Sequence, residues 1–249
     1  MKHYVLGAAT VIGVLLAQNA CTPSNADNVS SQQRKSEVMA KTPSSEARVQ
    51  SGSRINCSIN GNISHERWNK DESSAVTFSR FPSSLDEFNQ AREQLGTEPQ
   101  GAVALQIMAF ELYRRDAEAG TRALELNNTS TNCTQTLRQL KEIMNVKDAY
   151  YARPYISAAL LKGANPENGY QPEIPYQVSI RVNPANKYQE SEFLNGTVIY
   201  LQVDSEGWDT NWRGVEVVRP EGSDYYVVSN CPALYTQCKK IKGTWKGLE

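Results

Sequence analysis

Histidine is nearly absent from this chain. There are two in 249 residues, and one of them, His3, lies in the N-terminal leader. The other, His65, is followed by Glu66-Arg67-Trp68-Asn69, without the second histidine that a zinc-protease helix needs. A Ser-His-Asp triad and a Cys-His nucleophile face the same shortage. A charge surplus is missing too. Lys and Arg number 26 against 27 Asp and Glu, a net charge of −1. Nucleic-acid binding usually calls for a basic excess, so no nucleic-acid partner is expected. No motif for a metal or a cofactor stands out, and none is expected. Long apolar runs are lacking as well. The uncharged N-terminal run, Tyr4 to Leu16, is 13 residues, short of the ~20 that cross a bilayer as a helix.

That run suits another purpose. It follows Met1-Lys2-His3 and precedes Ala17-Gln18-Asn19-Ala20-Cys21, which makes residues 1–20 read as a signal peptide. Ala20 before Cys21 fits a lipid-attachment site, whereas Gln18 and Asn19 depart from its strict form. Lipidation of Cys21 is the expectation, with ordinary cleavage after Ala20 as the alternative. Residues 21–53 have no aromatic side chain and few large apolar ones, so they bury too little surface to offset chain entropy. They read as a disordered tether, and residues 54–249 as a single folded domain.

Five cysteines are present: Cys21, Cys57, Cys133, Cys231 and Cys238. One lipidated cysteine plus two disulfides accounts for all of them. The four that remain allow three pairings. Cys231–Cys238 and Cys57–Cys133 are favoured, because Pro232 bends the short segment between the first two. Buried reduced thiols are the alternative.

Within the domain, Ala75-Val-Thr-Phe-Ser-Arg-Phe81 alternates as a strand would. Ser84-Leu-Asp-Glu87, just after Pro82, is a capping box, and Leu85, Phe88 and Leu95 share the face of the helix it starts. A stronger helix is predicted from about Gln100 to Arg115, burying Val103, Ile107, Phe110 and Leu112. Ala123 to Leu126 gives another turn, and Asn127-Asn-Thr-Ser-Thr-Asn132 a polar loop. A third long helix runs from about Thr134 to Asn145, and a short one from Pro154 to Leu161. Beyond Pro172 the period changes to two. Tyr176 to Val182, Gly196 to Val203, Trp212 to Val218 and Asp224 to Ser229 read as strands separated by turn signals. The expected class is α+β: an N-terminal helical half packed on a C-terminal antiparallel β meander of about four strands.

Four stretches carry a resemblance. They are Phe81-Pro-Ser-Ser-Leu-Asp-Glu-Phe88, the alanine-rich Gly101 to Tyr113, Tyr151-Ala-Arg-Pro-Tyr155 and Gly163-Ala-Asn-Pro-Glu-Asn-Gly-Tyr-Gln-Pro172. Together they resemble an uncharacterised bacterial family, a domain of unknown function found in exported proteins and lipoproteins. The likeness covers about residues 78 to 230. It implies a fold and a compartment and supplies no activity. Where family members often carry Gly-Ala-Asp-Ser-Pro-Arg between strands, this chain has Ser205-Glu-Gly-Trp-Asp-Thr-Asn-Trp-Arg213.

Two loops are candidate binding loops. In the first, Glu167 supplies charge, Asn168 a donor and acceptor, and Tyr170 a stacking surface. The structural alternative has Asn168 bonded into the turn and Tyr170 plugging the core. In the second, Asp204, Glu206 and Asp209 lie beside Trp208 and Trp212. That set would suit sugar binding or, at the right carboxylate spacing, glycoside hydrolysis. Solvated hairpin carboxylates are the bland alternative. The leading expectation is a non-enzymatic binding module, lipid-anchored in the cell envelope and facing the periplasm or cell surface, that binds a protein or other ligand through its sheet-side loops. A toxin-neutralising immunity protein is one form of it. A carboxylate-dependent enzyme acting on glycan or cell-wall material and a structural envelope component are the alternatives.

Overall fold

The structure is a computed structural model, described over residues 54–144 and 151–248. The signal peptide, Cys21 and the tether expected within residues 1–53 lie outside the described residues.

The alternating apolar segments form one antiparallel sheet. Its strands are β1 (Cys57–Gly61), β2 (Ser73–Phe78), β3 (Tyr176–Val182), β4 (Gln189–Ser191), β5 (Gly196–Asp204), β6 (Trp212–Val218) and β7 (Val227–Asn230). The order across the sheet is β1-β2-β3-β5-β6-β7, and β4 pairs with β5 through Gln189–Val198 and Ser191–Gly196. The class is α+β as expected, but the sheet has seven strands rather than about four. The surplus comes partly from the N-terminal side. β2 precedes every helix, yet pairs with β3 from Ser73–Arg181 to Phe78–Tyr176. Alternation sets the register: Val76, Phe78, Val178, Ile180 and Val182 point into the core, and Gln177, Ser179 and Arg181 point out.

Helices cover the inner face. They are α1 (Leu85–Leu95), α2 (Pro99–Arg115), α3 (Ala117–Asn127), α4 (Ser130–Ile143) and α5 (Ile156–Ala159). Every residue of α2 from Pro99 to Leu112 is buried, because this small-residue helix touches β2, β6 and β7 below and α1 and α3 at its sides. Near its end, the buried Glu111 carboxylate accepts from Arg114 and Arg115. Arg115 also donates to Leu248 O at 2.8 Å, and the Arg114 guanidinium lies 4.7 Å from the Trp245 ring centroid. The C-terminal segment is thereby held against the helices.

The capping box of α1 forms with one change, the return bond of Glu87 going to Ser83, one residue before the N-cap Ser84. Ser84 Oγ accepts from Glu87 N at 3.3 Å, and Glu87 accepts from Ser83 N at 2.8 Å. Both Glu87 oxygens also take Arg80 N–H bonds at 2.7 Å. The Arg80 guanidinium, aided by the Ser83 bonds, pulls the Glu87 carboxyl down to about 2. The folded-state value lies below the unfolded one, so this stabilisation is complete above pH ~4.5 and is lost as pH falls toward 2. Both side chains are partly wet, which limits it to ~1–2 kcal/mol. Glu87→Gln should therefore cost that much by urea unfolding at pH 7 and almost nothing at pH 2. An equal loss at both pH values would rule out the ion pair as its cause.

Neither expected bridge, Cys57–Cys133 or Cys231–Cys238, is formed in the structure. Cys57 sits on β1 at one sheet edge, whereas Cys133 is on α4, which packs on β7 at the other edge. Five strand-to-strand steps, at about 4.8 Å each, separate those edges. Cys231 and Cys238 flank a 3₁₀ turn (Pro232–Leu234) and face different neighbours. Cys231 Sγ lies 3.5 Å from Gln106 Nε2 and Asn132 Nδ2, while Cys238 Sγ lies 3.7 Å from Tyr170 Oη.

Candidate functional site

The Gly-Ala-Asn-Pro-Glu-Asn-Gly-Tyr stretch folds into a closed clasp. Lys162 N donates to Gln177 O at 2.9 Å and Glu173 N to Lys162 O at 3.0 Å, which shuts its neck. Asn168 holds the interior. Its Oδ1 accepts from Asn165 N at 3.0 Å and Gln171 N at 3.2 Å, and its Nδ2 donates to Gly163 O at 2.7 Å and Gln171 O at 3.0 Å. Gly169 at φ 71° and Tyr170 at φ 55° turn the chain back through the left-handed region. Tyr170 then points inward, 0% exposed, its ring stacked on Tyr155 with centroids 4.8 Å apart. Its hydroxyl donates to Lys239 O at 3.0 Å, and burial pushes its phenol well above the ordinary range. Tyr170 therefore builds the loop from the core side, while Asn168, exposed, spends its amide on the loop's own backbone.

A second loop leans on the first. Gly207 lies against Ala159 and Tyr170, and Ser205 Oγ bonds Ala159 O and accepts from Gly207 N. Trp208 is 2% exposed, its Nε1 donating to Thr236 O at 2.6 Å and its ring lying under Arg213. The chain then returns between the two loops. Lys239 N donates to Gly207 O at 2.8 Å and Lys242 N to Pro166 O at 2.9 Å.

Between these three segments lies an open cleft of about 650 Å³, lined by Pro166, Glu167, Glu206, Trp208, Asp209 and Asn211, with Lys239, Lys240 and Lys242. Four of the sequence candidates thus meet there: Glu167, Glu206, Trp208 and Asp209. Asp204 does not. It lies in an adjoining groove of about 270 Å³ that shares Glu206. Trp212 stands apart on the outer face of the sheet, with the Arg181 guanidinium 3.7 Å above its ring. With Trp208 buried and Trp212 covered by Arg181, neither tryptophan offers the cleft the bare ring expected for sugar stacking. The lysines went unnoticed in the sequence, although Cys238-Lys-Lys-Ile-Lys242 is the one basic cluster near the C-terminus. They face the carboxylates directly. Lys242 Nζ lies 2.7 Å from Glu167 Oε1 and Lys239 Nζ 3.6 Å from Asp209 Oδ1. The Lys242 ammonium draws the Glu167 carboxyl below its usual range.

A larger open basin, about 720 Å³, lies where His65, Glu190, Arg219, Glu221, Asp224 and Tyr226 meet. Its lining is also mixed in charge, and none of the sequence candidates reaches it. Among the described residues no group of three His, Cys, Asp or Glu is placed to hold a metal ion, and no helix is long and apolar enough to cross a membrane.

One family model matches, over residues 80–242, and its description is a domain of unknown function, DUF6935. The chain belongs to this family. No curated protein and no solved structure matches. The DUF6935 segment contains the clasp, the Trp208 loop and all three lysines, so the whole cleft lies inside it. It leaves out β1 and β2, which the DUF6935 sheet nevertheless uses as its first two strands.

Proposed function

We propose that the protein is a lipid-anchored component of a bacterial cell envelope, tethered through Cys21, and that its domain is a non-enzymatic binding module. Its partner is a protein, docked across the clasp cleft. The compartment rests on residues 1–53, read from sequence. The docking site rests on one observation: carboxylates and lysines alternate around an open cleft whose frame is fixed by buried Tyr170 and Trp208. A rim of mixed charge suits a partner surface with the opposite pattern, since such complementarity steers encounter and fixes register. The Glu167–Lys242 pair leaves Glu167 unsuited to be the general acid of a hydrolase. A carboxyl drawn below its usual range is ionised at neutral pH and holds no proton to give a leaving group.

The test is affinity capture from envelope extract with the tagged full chain. One partner should be captured by the wild type and lost on Lys239→Glu/Lys242→Glu, with both proteins melting alike. Charge reversal at such a rim typically slows association and raises its salt dependence. Capture of no reproducible partner, or equal capture by the variant, would remove the assignment. Glycan hydrolysis keeps one supporting observation, the gathering of Glu167, Glu206 and Asp209 in the same cleft. Release of soluble fragments from purified cell wall by the wild type and not by Glu206→Gln would bring it forward.

A further inference from the structure

Cys231 is the most enclosed thiol of the domain, fully buried beneath α4 at the end of β7. Its sulfur touches Asn132 and Thr136, at 3.5 and 3.6 Å. Those two residues are one helical turn apart on α4. Cys133 follows the first directly and stands three residues before the second, so it borders the same patch of helix surface. Cys133 is itself buried, at 5% exposure. The two segments are also stitched together one step earlier. Thr129 N donates to Val228 O at 3.0 Å, and Asn128 bridges Val228 in parallel. Burial, to which the nearby Cys133 adds, pushes the Cys231 thiol up to about 11, which keeps it protonated and unreactive in the folded protein.

We propose that Cys133 and Cys231 are joined as a disulfide in the exported protein, and that Cys57 and Cys238 remain thiols. The proposal rests on the export reading, because a reducing compartment would keep the pair open. Two thiols form one S–S bond, releasing two protons and passing two electrons to the disulfide of an oxidoreductase, which leaves as a dithiol. The exchange happens while the chain is folding and Cys231 is still accessible. The bond pins α4 to the end of β7 and closes a loop of roughly 100 residues, within the range where a bridge restricts the unfolded chain most.

The experiment uses the full chain with its own N-terminus. Cells are fractionated, free thiols are alkylated under denaturing, non-reducing conditions, and peptides are mapped by mass. The same mapping is done on protein made without the leader and refolded in a reduced and oxidised glutathione buffer. The expected result is a Cys133–Cys231 linked peptide in both preparations, with Cys57 and Cys238 alkylated. Reduction should lower the Tm of the envelope form by about 10 °C, and Cys133→Ala should show no such response to reduction. A linked peptide in the refolded protein, with the full chain found outside the envelope and reduced, keeps the pairing and overturns the export reading. Four alkylated cysteines in an envelope-located chain, or a Cys57–Cys133 or Cys231–Cys238 peptide, overturn the proposal.

Discussion

Gly120→Ala is expected to leave little or no folded protein. Gly120 lies where α3 crosses α2, and a Cβ there would stand 2.1 Å from Tyr113 Cα and 2.2 Å from Tyr113 N. Those are backbone atoms, so no rotamer change relieves the overlap. The helix that would have to retreat, α2, is buried on every side up to Leu112. Forced overpacking costs ~1–3 kcal/mol where side chains give way, and more where they cannot. Above ~3 kcal/mol the loss is a large share of the 5–15 kcal/mol that holds a typical domain together. Thermal melts by circular dichroism should show a Tm lower by ~10 °C or more, or no soluble protein at all. Arg122→Ala, on the exposed side of α3, serves as the control and should stay within ~0.5 kcal/mol of wild type. A Gly120→Ala protein that melts with the control would mean that the two helices do not approach this closely.

Tyr170→Ala should cost ~3–5 kcal/mol, the range for a large aromatic removed from a core. The loss would be local before it is global. Tyr170 carries the stack on Tyr155 and the bond to Lys239 O, and Tyr155 Oη in turn accepts from Ile241 N at 3.2 Å. The returning segment is therefore fastened to the clasp largely through this residue. Hydrogen exchange should show the Lys239 and Lys242 amides, which now donate to Gly207 O and Pro166 O, opening ~100-fold faster. Amides along β3 and β5 should change only as global stability changes. Tyr170→Phe keeps the ring and loses one hydrogen bond, so about 1 kcal/mol is expected. If Tyr170→Ala left those two lysine amides as protected as before, the tyrosine would not be what holds the cleft together.

Much of this architecture was legible in the sequence, for local reasons. The capping box at Ser84, the apolar face of α1 and the small, apolar stretch of α2 each act within a few residues. So do the period-two runs of β3, β5 and β6. The residues predicted to be buried in α2, Val103, Ile107, Phe110 and Leu112, are all fully buried. What escaped depends on partners distant in sequence. The polar run 127–132 looked like a loop, but Asn127, Asn128 and Asn132 are buried. Asn127 Nδ2 and Asn128 Nδ2 both donate to Gln106 Oε1, and Asn132 Nδ2 donates to Asn128 Oδ1. A polar cluster bonded to itself and to the carbonyls of Ala102, Leu124 and Val228, with only Asn127 Oδ1 left over, leaves no hydrophobic pattern to read. β1 and β4 escaped for a related reason: both are short and lie along the borders of the sheet, where few side chains turn inward.

The cleft was half legible. Its carboxylates stand out in the sequence as charges beside aromatics, and the turn residues around Asn168 and Tyr170 already point to a structural loop. The lysines belong to a segment with no periodicity, and only the fold returns that segment to the clasp. The cysteine pairing failed because nearness in sequence was taken for nearness of sulfurs. A 3₁₀ turn is enough to send Cys231 and Cys238 into different surroundings.

The pairing of β2 with β3 bears on how the chain is made. Ser73 to Phe78 must wait for Tyr176 to Val182, with five helices between them, before the middle of the sheet can close. Joining segments about 100 residues apart spends loop entropy before any ladder bond repays it, and such topologies fold slowly. While synthesis proceeds, α1 to α4 have no sheet to pack on, and β1 and β2 have only each other. A chain built this way stays open until most of it has left the ribosome. On the proposed export route the chain would cross a membrane as an extended thread, and the delay that the fold supplies would keep it threadable.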